Sequence, residues 1–155
     1  MNFLCLNHRR HFSQLPLADR KELWLVWMEK AATSSNQEKW REAISLAGSA
    51  FDLACLPLQD DESCMHIELT LSAILVSRLL SDRANREVAE QVIAKAVDAL
   101  LVGRPMQSGD SCCGLHECVD VLLDCARHAE FYSDYLNWPG IPFKVAGEAC
   151  GRVLH

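Results

Sequence analysis

Apolar residues recur at intervals of three and four along most of the chain, which is the spacing that places side chains on one face of an α-helix. In the first such run, Trp24, Trp27 and Met28 share a face, and charged residues surround the rest. Six segments carry the pattern, at about residues 17–32, 35–55, 61–80, 84–102, 110–135 and 143–153. No strand-like alternation competes with it. The pattern predicts an all-α fold with about six helices in three consecutive antiparallel hairpins.

Polar and helix-breaking residues mark the ends of these segments. Ser35-Asn36-Gln37-Glu38 has the spacing of a capping box, in which a serine oxygen and a glutamate satisfy the first amides of a helix. It predicts that the second helix begins there, and Pro57 predicts its end because proline lacks an amide hydrogen. The segment 61–80 is apolar nearly all round, so we expect this helix at the centre of the domain.

The length of 155 residues suits one domain. Residues 1–15 lack a sustained period and are predicted to form an N-terminal leader, while residues 16–155 form a single helical domain. Within that domain, residues 103–110 make the longest polar link, and it contains Gly, Pro and Ser. We expect this link to be the most mobile part of the chain.

The hairpin at residues 24–57 resembles a tetratricopeptide-type repeat. Trp27 and Ala31 stand at the large and small positions of the family's first helix, and Trp40 stands at the aromatic position that opens its second helix. Ala43 and Ala50 match the small positions of that second helix. The resemblance implies helical hairpins stacked in an array, with an extended groove for a peptide or a partner helix.

Other features depart from the family pattern. Lys30 occupies a position that is usually apolar, and Pro57 comes two residues after the expected closing proline. A second set of small residues begins at Ala89, which is 46 residues after Ala43, whereas the family repeat has about 34 residues. The sequence therefore leaves two architectures open, a tetratricopeptide-like array and a compact six-helix bundle.

Charge and hydropathy argue against two classes of partner. The net charge is −6 and the pI about 5.4, so the chain repels nucleic-acid phosphates and anionic lipid surfaces. No apolar run approaches the roughly 20 residues that span a bilayer, and the N-terminus lacks the pattern of a signal peptide. We therefore expect a cytoplasmic protein without nucleic-acid or membrane partners, in which the eight cysteines are reduced.

Motifs that would indicate catalysis are missing from the sequence. It contains no Gly-rich phosphate loop, no Gly-x-Ser-x-Gly and no His-Glu-x-x-His. The hypothesis that follows is a non-enzymatic interaction module, an adaptor or regulator that binds a protein or peptide and needs no cofactor. Its anchors would be exposed aromatic residues, for which Trp24, Trp27 and Trp138 are the candidates.

Cysteine and histidine side chains support an alternative hypothesis, a zinc-binding or thiol-based regulator that uses residues 112–118. Cys112 and Cys113 each share a helical face with His116, and thiolate and imidazole are the ligands that zinc prefers. A tetrahedral site needs further ligands, and Cys5 and His8 in the leader are available.

The remaining candidates have simpler structural interpretations. Cysteines on apolar stripes behave as small hydrophobic residues, and we predict a core position for Cys55, Cys64, Cys118, Cys125 and Cys150. His116, Asp120, Asp124 and His128 follow one another at steps of four along the fifth predicted helix. We predict that this row is the solvated side of the helix, with Asp124 and His128 as an exposed pair.

Overall fold

A computed structural model describes residues 3–56, 65–82, 85–102, 115–128 and 130–131, without the side chains at 102, 115 and 116. Within these ranges the chain forms α1 (Leu6–Ser13), α2 (Leu17–Asn36), α3 (Trp40–Cys55), α4 (His66–Asp82), α5 (Arg86–Val102) and α6 (Leu115–Leu123). A short 3₁₀ turn, Cys125–Arg127, follows α6, and these ranges contain no strand. The prediction of an all-α fold is confirmed.

The six helices do not correspond one to one with the six that the sequence predicts. α1 lies inside the predicted leader, while the link at 103–110 and the predicted helix at 143–153 lie outside the described residues. The predicted helix at 110–135 is interrupted at Asp124, whose carboxylate accepts a hydrogen bond from the Ala126 amide at 3.1 Å. An aspartate that binds a nearby amide in this way competes with the helical hydrogen-bond ladder, so the chain turns instead.

The capping box predicted at residue 35 is wrong, because α2 continues through it to Asn36. Beyond the helix, Glu38 adopts the left-handed conformation with φ 62°, its amide donates to the Ser35 carbonyl, and the Lys39 amide donates to the Ser34 carbonyl. This pair of bonds is a Schellman motif, which closes the C-terminus of a helix. Ser34 and Ser35 are therefore buried at the end of α2, and α3 begins only at Trp40.

The helices pack in chain order. α2 lies against α3, α3 against α4 and α4 against α5, while α6 packs on both α4 and α5. α2 also touches α4, but among the described residues no extensive contact joins α2 to α5. Each hairpin is therefore stabilised mainly by its neighbours along the chain.

Small side chains allow the close approach of α2 and α3. Ala31 on α2 and Ala43, Ala47 and Ala50 on α3 are fully buried.

α4 is the central helix, as its apolar circumference predicts, and almost every residue from Leu69 to Leu80 is buried. Its buried hydroxyl groups bond to carbonyls one turn back in the same helix, so they enter the core without loss of hydrogen bonds.

Arg20 joins α1 to the rest of the molecule. Its side chain is 1% exposed, and its two terminal nitrogens donate to the Ser13 carbonyl at 3.0 Å and the Leu56 carbonyl at 3.1 Å. Ser13 ends α1 and Leu56 follows α3, so both acceptors lie at the negative ends of helix dipoles. One buried cation thus caps two helices and fixes the direction in which α1 leaves α2.

Candidate protein-interaction surface

Two adjoining open cavities run along the outer side of the α2–α3 hairpin, with volumes of about 590 and 540 Å³. We call the combined surface the hairpin groove. Its α3 part is lined by Lys39, Trp40, Arg41, Glu42, Ser45 and Leu46. Its second part is lined by Val26, Glu29, Lys30, Thr33, Ser34, Glu42 and Leu46. Because Glu42 and Leu46 belong to both, the cavities form one continuous surface.

The floor of the hairpin groove is apolar. Trp40 and Leu46 are half-buried, since each packs against the core on one side and lines the groove on the other. Val26 is 38% exposed at the α2 side, and Leu25 beside it is 37% exposed. A ring that is rigidly supported by the core and open on its outer face is the kind of residue that dominates binding energy at protein interfaces.

The rim of the hairpin groove is richer in cations than the molecule as a whole. Three cations, Lys30, Lys39 and Arg41, line it together with two carboxylates, Glu29 and Glu42. The Glu42 carboxylate accepts a hydrogen bond at 2.9 Å from the hydroxyl of Ser34 at the end of α2. On a chain of net charge −6, this rim is a local site that favours acidic groups.

The two predicted anchors that the structure describes, Trp24 and Trp27, do not line the hairpin groove. Trp24 is 4% exposed in the core, and its indole nitrogen has no hydrogen-bond partner among the described residues. Trp27 is half-buried beneath α1, where its ring meets Phe12 edge-on with 5.4 Å between ring centroids. Trp138 lies outside the described residues. Trp24 is buried in this fold, so it offers no exposed ring to a partner.

The sequence predicts Trp40 as the aromatic residue that opens the second helix of the hairpin, and not as an interaction residue. In the structure it is the first residue of α3, and its half-buried side chain lines the hairpin groove. The polar residues on either side, Lys39 and Arg41, are the sequence signal that would have identified it.

Only part of the predicted zinc site lies within the described residues. The Cys5 sulfur is 3.1 Å from His8 Nδ1, and both side chains are exposed at the start of α1. Cys112, Cys113 and the side chain of His116 lie outside the described residues. Across the described part of the chain, no group of three or more His, Cys, Asp or Glu side chains is arranged to hold a metal ion.

The described cysteines have different environments. Cys118 is buried, as predicted, and Cys55 is a half-buried free thiol. Cys125 is exposed and disulfide-bonded, so the prediction of a buried, reduced thiol is wrong there. Cys64 and Cys150 lie outside the described residues.

Cys55 is chemically quiet. Burial raises the pKa of its thiol to about 12, although the nearby Lys95 ammonium acts in the opposite direction. Because the thiolate is the reactive form of cysteine, this side chain is a poor nucleophile at neutral pH.

The prediction of an exposed pair is wrong for His128, whereas Asp124 is exposed as predicted. His128 is 4% exposed, and its Nε2 donates to the Leu122 carbonyl at 3.3 Å. Its Nδ1 is buried with no partner among the described residues. Burial lowers the pKa of His128, which the hydrogen bond to Leu122 offsets in part. His128 is therefore a neutral imidazole that closes the end of α6.

Among the described residues, no helix is long and apolar enough to cross a bilayer.

Comparison with known proteins adds no functional information. No protein-family model, curated protein or solved structure matches the chain.

Proposed function

We propose that this protein is a non-catalytic adaptor whose hairpin groove binds an amphipathic helix of a partner protein. Apolar side chains of the partner pack on Trp40 and Leu46, and acidic residues beside them face Lys30, Lys39 and Arg41. The observation that carries the proposal is the continuity of the groove, in which a half-buried tryptophan and a half-buried leucine form one apolar floor with a basic rim.

The dimensions of the hairpin groove suit a helix of about two turns. Val26 and Thr33 on α2 are about 10 Å apart along the helix axis, and Trp40 and Leu46 on α3 are about 9 Å apart. Two apolar side chains at helical spacing, separated by about 5 to 6 Å, fit within this length. An amphipathic helix that lays its apolar face into such a groove is a common mode of recognition.

The resemblance to tetratricopeptide repeats supports the same proposal from the sequence. Hairpin arrays of this kind use extended surfaces to hold partner segments. We propose that the α2–α3 hairpin corresponds to one such repeat, with Trp40 at its aromatic position and lining the groove.

Three variants test the proposal. Trp40→Ala and Leu46→Asp remove the apolar floor, and Leu101→Asp places the same charge at a 53% exposed leucine on α5. Partners are isolated by affinity purification, identified by mass spectrometry and then measured with purified proteins by isothermal titration calorimetry. We expect both groove variants to weaken a direct partner by about 30-fold or more, which corresponds to about 2 kcal/mol at an interface anchor. Leu101→Asp leaves the affinity unchanged.

Salt dependence tests the basic rim. Raising the NaCl concentration screens exposed charges, so the affinity for an acidic helix falls several-fold. A partner that binds both groove variants as tightly as the wild type, with all proteins folded by circular dichroism, contradicts the proposal.

The contact between Cys5 and His8 favours a second candidate, the zinc- or thiol-based regulator that includes Cys112, Cys113 and His116. Elemental analysis of protein purified without chelators tests it. Stoichiometric zinc that is lost in Cys5→Ser supports this candidate, and a metal-free folded sample rejects the zinc form.

A further inference from the structure

Phe3 and Leu4, which precede α1, are bound by a carboxylate inside the fold. Asp52 on α3 is 3% exposed, and one of its oxygens accepts hydrogen bonds from the backbone amides of both Phe3 and Leu4, the latter at 2.9 Å. Lys95 on α5 pairs with the other Asp52 oxygen at 3.4 Å. The carboxylate therefore links the two helices to a chain segment more than forty residues away in sequence.

Gly48 makes room for the aromatic ring of this segment. It lies one helical turn before Asp52 on α3, and a Cβ atom placed on it would overlap the ring of Phe3. Leu4 is 8% exposed and joins the hydrophobic core. We call Gly48, Asp52 and Lys95 the Asp52 site. It accepts an aromatic residue followed by an aliphatic one, together with their two backbone N–H groups.

The N-terminal segment, residues 3–13, contacts the rest of the molecule mainly at its two ends. α1 contains no buried residue, and Leu6 in its first turn is 64% exposed. An isolated helix of eight residues is unstable in water, so α1 depends on tertiary contacts. Beyond the Asp52 site these contacts are the Phe12 ring on Trp27 and the bond from Arg20 to the Ser13 carbonyl.

We propose that the Asp52 site is a second docking site, which takes a partner-protein segment with an aromatic residue followed by an aliphatic one. In the structure described here the chain's own Phe3 and Leu4 occupy it. A partner segment must displace them, so the N-terminal segment acts as a built-in competitor. The site shares no residue with the hairpin groove, and the inference does not depend on the function proposed for that groove.

A binding experiment on the full chain tests this inference. The probe is a fluorescently labelled peptide of residues 1–13 that carries Cys5→Ser, which prevents disulfide formation. We expect the Phe3→Ala/Leu4→Ala protein to bind the peptide at least tenfold more tightly than the wild type, because its own segment no longer fills the site. A peptide with Phe3→Ala binds at least tenfold more weakly than the parent peptide.

Substitutions on α3 locate the binding. Gly48→Ala in the Phe3→Ala/Leu4→Ala protein places a methyl group where the ring sits and lowers peptide affinity at least tenfold. Alanine is also a better helix former than glycine, so this change does not weaken α3 itself. Ser81→Ala at an exposed serine of α4 is the control and leaves peptide affinity unchanged.

Three outcomes overturn the inference. The first is a folded Phe3→Ala/Leu4→Ala protein that binds the peptide no better than the wild type. The second is peptide binding that Gly48→Ala does not weaken. In the third, the wild type forms a concentration-dependent dimer that the Phe3→Ala/Leu4→Ala change abolishes, and the occupant is then a second copy of this chain. If the double variant does not fold, Phe3→Ala alone replaces it, since Phe3 is only partly buried.

Discussion

Aromatic residues in this fold differ mainly in how much of the side chain is covered by its neighbours. Trp24 and Trp40 are both on apolar faces in sequence, yet one is 4% exposed and the other lines an open groove. Periodicity identifies that a side chain faces a neighbour, but not how far the neighbour covers it. The core alanines were therefore predictable from the sequence, whereas the candidate interaction residue was not.

His128 provides a prediction at the residue scale. Burial lowers its pKa, so below pH of about 6.5 the unfolded chain binds a proton that the folded protein does not. This difference destabilises the fold as pH falls through that range, because a proton on the buried Nδ1 has no partner among the described residues. We expect the free energy of unfolding in urea to fall more steeply between pH 7 and pH 5 in the wild type than in His128→Asn.

The two proteins are compared by how their stability changes with pH. The absolute stability of His128→Asn is lower, because the asparagine reproduces the bond to the Leu122 carbonyl only in part, so the slopes with pH are compared and not the values. Equal slopes for the two proteins would show that the imidazole titrates alike in the folded and unfolded states.

Helices that bury an apolar stripe were predictable from the sequence. The helix that is held by contacts at its ends was not. α2, α3, α4 and α5 follow the apolar period closely, while their boundaries shift by several residues. α1 has no buried residue, and side chains elsewhere stabilise it, among them Arg20, Asp52 and Trp27. A pattern search along the segment itself has no access to these contacts. The hydrophobic periodicity does not indicate the break at Asp124 either, because the break depends on one local hydrogen bond.

Replacing Arg20 tests this account of α1. Arg20→Met keeps most of the buried aliphatic volume but leaves the Ser13 and Leu56 carbonyls without their guanidinium donor. We expect a loss of about 2 to 4 kcal/mol in the free energy of unfolding, measured by urea denaturation, since each buried carbonyl left without a partner costs about 1 to 3 kcal/mol. Amide hydrogen exchange in α1 accelerates more than exchange in α4.

The matched substitution is Arg86→Met at an exposed arginine of α5, which changes stability by less than about 0.5 kcal/mol. If Arg20→Met proves as stable as Arg86→Met, or if α1 keeps its protection, then Arg20 does not hold α1 in place.

On the scale of the whole molecule, packing in chain order has consequences for cooperativity. Contacts run from α2 to α3, α4, α5 and α6 in sequence, and the described part of α6 makes its helix contacts with α4 and α5. When units contact only their neighbours, stability is close to a sum of local terms, and one end can open without the other. A closed bundle, in which the first and last helices also pack together, would open as one unit.

Val121→Ser distinguishes these behaviours. Val121 is 1% exposed in α6, and its replacement costs about 2 kcal/mol through lost apolar burial. In chain-order packing this loss stays local, so hydrogen exchange accelerates about tenfold or more in α5 and α6 and less than about twofold in α2 and α3. The reciprocal change, Met28→Ala in the fully buried centre of α2, accelerates exchange in α2 and α3 while α6 retains its wild-type rates. A uniform acceleration across all helices in either variant would mean that the molecule unfolds as a single unit, and the hairpins would then not be independent repeats.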